Sequence, residues 1–217
     1  MSNELLKRIQ CDLRNFPEEI IIDWLLPFAI DIGWSQEAFQ KKSRWKNILT
    51  HSVELWSTAR WTLEKLNIDE LSWTQRAQNC FLGMNDAYLC NKINSYTSLK
   101  DSDGKERFRK SLFYLLQHGI FPKPIILLRY DDGYEVMDGN HRLLALFVAQ
   151  KLTREISTNP DKKVQLFKLF EENDLSICEI VIISDIQKVW VARFPNRISS
   201  QDNSISKIAS DYFQNLL

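Results

Sequence analysis

Five consecutive residues, Asp138, Gly139, Asn140, His141 and Arg142, carry groups suited to holding a phosphate. They follow a short apolar stretch ending at Met137 and precede RLLALFVAQ, an apolar run of helical character. A strand that ends at Met137 and a helix that begins beside His141 would need a tight turn at Gly139. The free amides of the first helical turn, with the positive end of the helix dipole, would then form an anion site. His141 adds a donor and Arg142 a fork-shaped cation that fits phosphate oxygens, while Asp138 can hold Mg²⁺ through water or accept a proton. The bland alternative is that Asp-Gly is an ordinary turn dipeptide and Asn an ordinary cap.

The surrounding elements give the five residues their context. A helix is predicted over about Lys105–Gln117, with Phe108, Leu112, Leu115 and Leu116 on one face and Gly119 at its C-terminal end. PIILLRY and GYEVM form a predicted hairpin across Asp131, Asp132 and Gly133, and the elbow and its helix follow. Asn159 and Pro160 open a further predicted helix, and CEIVIIS is read as a third strand ending near Ser184. The C-terminal stripe Ile205, Ile208, Ala209, Tyr212, Phe213 and Leu216 is an amphipathic helix that docks on the body or makes an oligomer contact.

Six of the seven tryptophans precede residue 75. Apolar residues recur at helical spacing over 18–32, where Pro27 should kink or split the helix, over 51–66, and over 74–91. The reading is therefore an all-helical region over 1–94, a polar connection around SYTSLKDSDG, an α+β domain over 105–184 and an extension over 185–217. The stripe Trp45, Trp56, Trp61 and Trp73 is read as core packing in preference to base stacking. His51 reads as a helix-start residue, His118 as part of a helix end, and Asp131 and Asp132 as solvated loop carboxylates.

The order helix, HGIFPKP, strand, turn, strand, DGNHR, apolar helix resembles the ParB/sulfiredoxin superfamily over about a third of the chain. That resemblance implies a small mixed sheet with helices and a nucleoside di- or triphosphate (ATP, ADP or CTP) with its phosphates at the elbow. Gly139, Asn140, His141 and Arg142 would bind the nucleotide, and Asp138 would hold Mg²⁺. Sulfiredoxins carry a nucleophilic cysteine where this chain has Asn140, which argues against sulfinic-acid reduction. Chromosome-partitioning members have arginine where His141 stands and a DNA-binding helix-turn-helix downstream, so a DNA clamp is not favoured. The local text is most similar to archaeal free serine kinases, whose general base is a glutamate ahead of the preceding helix; Glu106, or less favourably Asp103, occupies that place. On this analogy the catalytic set is Glu106, Asp138 and His141.

Composition narrows the classes. Lys+Arg and Asp+Glu both number 28, so no global field draws the protein to nucleic acid or an anionic membrane. No long apolar run or secretory leader is apparent, and the four scattered cysteines suggest neither a zinc site nor a disulfide framework, which is the pattern of a cytoplasmic protein. Neither H-E-x-x-H nor a Walker A loop is present. Three readings stand: a Mg²⁺-dependent phosphotransferase or nucleotide hydrolase, a non-catalytic nucleotide-sensing module that meets a protein or DNA partner, and, ranked last, a ParB-like nuclease.

Overall fold

The computed structural model describes residues 2–35, 38–39, 43–89, 102–159, 161, 164 and 180–195. Among them the fold is α+β, with four strands in the order β1-β4-β2-β3. The helices are α1 (Ser2–Asp12), α2 (Glu18–Ile20), α3 (Leu26–Ile32), α4 (Ser43–Leu49), α5 (Val53–Trp56), α6 (Gln75–Tyr88), α7 (Ser102–His118) and α8 (Asn140–Thr158). The strands are β1 (Arg60–Asn67), β2 (Ile125–Tyr130), β3 (Gly133–Asp138) and β4 (Ile186–Arg193). No described helix is long and apolar enough to cross a membrane.

Each side of the sheet has its own core, because successive residues of a strand point to opposite faces. Ile125, Leu127, Val189 and Val191 face α7 and α8, where Leu115, Leu116, Leu143 and Leu146 are buried. Ile126, Leu128, Tyr130 and Ala192 face the N-terminal helices and pack on Trp24, Trp45 and Trp56. Trp56 and Trp61 stack at 5.8 Å, and Trp73 meets Phe81 edge-on at 5.5 Å, so the tryptophans serve packing, though from separate elements and not along one helix.

Two elements differ from the sequence reading. The stretch 51–66 is not one helix: Ser57 Oγ and Thr58 Oγ1 donate to the carbonyls of Glu54 and Leu55, α5 ends after one turn, and the chain continues as β1. The first third is therefore not all-helical. Its helical spacing of Trp56, Ala59, Leu63 and Leu66 is overridden by pairing along all of β1, from Arg60↔Arg193 to Asn67↔Ile186. The third strand of the C-terminal half is also displaced. Residues 180–184 run beside the end of α7, with Val181 N donating to Leu116 O and Ser184 N to Gly119 O, and leave Ile182 93% exposed. The strand starts two residues later, after Ser184 Oγ accepts from Ile186 N. Cys178 and Glu179, the helix predicted from Pro160 onward (save Asp161 and Val164, both helical) and the C-terminal stripe lie outside the described residues.

Pro27 does not break its helix. The turn before it widens to a π-helix over Ile21–Leu25, with Leu26 N donating to Ile21 O, and helical geometry resumes in α3. That turn carries Asp23. Gln187, buried in β4, receives Phe121 N at 2.8 Å and donates to Gly119 O, fixing the path by which the chain enters β2.

Candidate functional site

The five residues form a strand–turn–helix elbow. Asp138 is the last residue of β3, Gly139 is left-handed at φ +99°, and α8 begins at Asn140. Asp138 pairs with Ile126 and Val136 with Leu127, so Met137 is an extra residue in β3, a bulge that re-aims the strand end. No side chain caps α8 at Gly139, and its first intrahelical bond is Leu143 N to Gly139 O at 2.9 Å. An amide-lined, electropositive turn therefore stands at the strand end.

Arg142 folds back across Gly139. Its Nη2 pairs with Asp138 Oδ2 and its Nη1 donates to Lys123 O at 3.3 Å, with only 15% of the side chain exposed. The guanidinium fits because residue 139 lacks a Cβ: an added one would lie 2.9 Å from Arg142 Nε and 2.6 Å from Ile125 Cγ2. Burial pushes the Asp138 carboxyl up; the Arg142 guanidinium and the Gly139 N–H pull it down, and the Asp23 charge pushes it further up. Lys123 Nζ donates to Asp23 Oδ1 at 2.6 Å. Two carboxylates and two cations thus converge, joining the elbow, the loop before β2 and the π turn.

His141 faces the N-terminal half of the chain. Its ring stacks on Tyr88 at 5.8 Å and 18°, with Tyr88 Oη 3.1 Å from His141 Nε2, and Tyr88 also meets Phe108 of α7 at 6.0 Å. Glu106 lies two residues from Phe108, about 200° around α7 at 100° per residue. Its carboxylate is 3.3 Å from Arg109 Nε and 3.6 Å from Lys110 Nζ on the exposed side. Asp138, His141 and Arg142 are thus brought together at one turn, whereas Glu106 is engaged along its own helix. Sequence reasoning missed Asp23, Lys123 and Tyr88; of these only Lys123, inside HGIFPKP, lies in text that the resemblance covers.

A cleft of about 420 Å³ lies elsewhere, lined by Gln150, Thr153 and Arg154 of α8 and by Ile180, Ile182 and Asp185. Gln150 is about 12 Å along the helix axis from Arg142. Among the described residues no group of three His, Cys, Asp or Glu side chains could hold a metal ion.

A second polar cluster lies on the face of the N-terminal helices. His51 Nε2 is 2.8 Å from Tyr130 Oη, and Arg76 Nη1 lies 2.8 Å from the buried Glu135 Oε1 but out of line for a hydrogen bond. Burial, and secondarily the Arg76 charge, hold His51 below its usual 6.5. The unfolded chain therefore takes up the proton first. The His51 contribution is complete above pH about 6.5 and is lost as pH falls toward the folded value. Stability measured by denaturant titration between pH 7.5 and 5 is expected to fall less in His51→Gln than in the wild type. Equal slopes would remove His51 from the account.

Comparison with protein-family models, with curated proteins and with solved structures finds no match for this chain.

Proposed function

We propose that the Asp138–Arg142 elbow binds the phosphates of a nucleoside di- or triphosphate together with Mg²⁺, in a cytoplasmic protein of ParB/sulfiredoxin type. The observation that carries this reading is the first turn of α8, set at a strand end by a left-handed glycine and backed by the half-buried Arg142. Backbone amides would take phosphate oxygens. Arg142, kept in place by Asp138, would present its remaining donor surface to them. Asp138 is a hard oxygen donor suited to Mg²⁺, which needs few protein ligands when phosphates supply the rest. The cation would offset the added negative charge at a site whose four charged side chains sum to zero.

Nucleotide sensing has better support than phosphoryl transfer. Tyr88 on His141 and Asp23 on Lys123 tie the elbow to elements from the first ninety residues, a route by which occupancy could reach a partner. Phosphoryl transfer additionally requires a base, and Glu106 is paired with Arg109 and Lys110 on the exposed side of α7.

Thermal-shift titration with ATP, ADP, CTP and GTP, with and without Mg²⁺, tests the reading. At a concentration of about 100 Kd a specific nucleotide should add about 2.7 kcal/mol to stability. The shift should shrink in His141→Ala and in Arg142→Lys, which keeps a charge for Asp138 but loses the fork. No shift with any nucleotide would reduce the elbow to a structural turn.

A further inference from the structure

The two cations at the elbow differ in how firmly they are held. Arg142 is 15% exposed and bound to both Asp138 and the Lys123 carbonyl. Lys123 is 59% exposed and Asp23, with which it pairs, is 36% exposed, so theirs is an ion pair of little net value that a competing anion can break. The Lys123 backbone is fixed by Arg142 while its ammonium rides on a flexible stem. Asp23, across the pair, is held in a π turn, a feature often associated with functional sites.

Resting on the phosphate-elbow reading, we infer that Lys123 is a further ligand-binding cation of this site and that Asp23 is its resident counter-ion, surrendering it to the phosphate when the elbow fills. No bond is made or broken; the ammonium exchanges one anionic partner for another. The ligand class that fits is a polyphosphate, whose length lets one group rest on the α8 amides while another reaches the Lys123 side chain. Asp23 then sets a threshold: a weakly charged anion gains too little to displace it, whereas a di- or triphosphate gains a charge-assisted hydrogen bond.

Isothermal titration of the full chain with sodium tripolyphosphate tests this through a double-mutant cycle. Both substitutions lie on exposed side chains, so folding should survive and is checked by the denaturation midpoint. Lys123→Gln should weaken binding about tenfold. Asp23→Asn should tighten it about fivefold by removing the competitor. In the Lys123→Gln background Asp23→Asn should tighten binding clearly less, through its field at the elbow alone. If it tightens binding equally in both backgrounds, Asp23 acts only through its general negative field and the inference fails. Wild-type affinity in Lys123→Gln would also overturn it while leaving the elbow intact. Failure of the wild type to bind tripolyphosphate while it binds a nucleotide would sink this inference alone, and failure to bind either would sink the elbow reading with it.

Discussion

Gly139→Ala is expected to lose about 3 kcal/mol of stability, lowering Tm by about 6–12 °C for a chain of this size. The left-handed φ of +99° costs an alanine about 1–2 kcal/mol. The rest comes from crowding: the new methyl would lie 2.6 Å from Ile125 Cγ2 and 2.9 Å from the Arg142 guanidinium, in contact with buried neighbours. Gly139→Asn separates the two causes. Asparagine tolerates the left-handed region but still carries a Cβ, so it should recover at most the backbone share of the loss and leave the crowding share in place. A loss below about 1 kcal/mol in Gly139→Ala, by urea denaturation, would show that Arg142 does not pack across residue 139 as described. Displacing Arg142 should also abolish any nucleotide-induced shift, since backbone turn and guanidinium clamp depend on the same missing carbon.

The second large effect concerns the buried carboxylate at the other end of β3. Arg76→Met strands Glu135, whose side chain is 6% exposed, and should cost about 3 kcal/mol at pH 8. Burial already pushes the Glu135 carboxyl above its usual 4.5, with the Arg76 charge opposing and Asp132 adding, so removing the arginine pushes it further. A carboxyl raised in the folded state favours folding below its unfolded pKa and loses that contribution as pH rises through the folded value. The defect should accordingly be smaller at pH 5 than at pH 8, and Arg76→Met with Glu135→Leu should recover most of it. A pH-independent defect would instead assign the loss to packing of the arginine stem.

The hairpin, the elbow and the start of α8 could be read from the sequence because their signals are local. A turn glycine, a β-branched run and an apolar helix within about forty residues specify one another without distant partners. The charge quartet could not be read that way: Asp23 and Lys123 are 100 residues apart, and nothing near Asp23 marks it. β1 was hidden because Trp56, Ala59, Leu63 and Leu66 satisfy a helical period, and only β4 decides that Arg60–Asn67 is extended. β4 was hidden in turn by the more apolar IVII just before it. IQKVWVAR is a central strand although Gln187 and Lys188 follow directly on Ile186, because Gln187 finds backbone partners inside the fold.

The sheet order has a consequence for synthesis. β4 lies between β1 and β2, pairing antiparallel with the first and parallel with the second, so no hydrogen bond of the sheet joins β1 to the β2–β3 hairpin without it. More than fifty residues separate the end of β2 from Ile186. On the ribosome, at about 5–20 residues per second, the nascent chain therefore spends seconds with an open slot flanked by two unpaired strand edges. Such an edge recruits other strands. The last described strand acts as a keystone, and a ribosome stalled before Ile186 would release a chain poised to aggregate by accepting a foreign strand in its place.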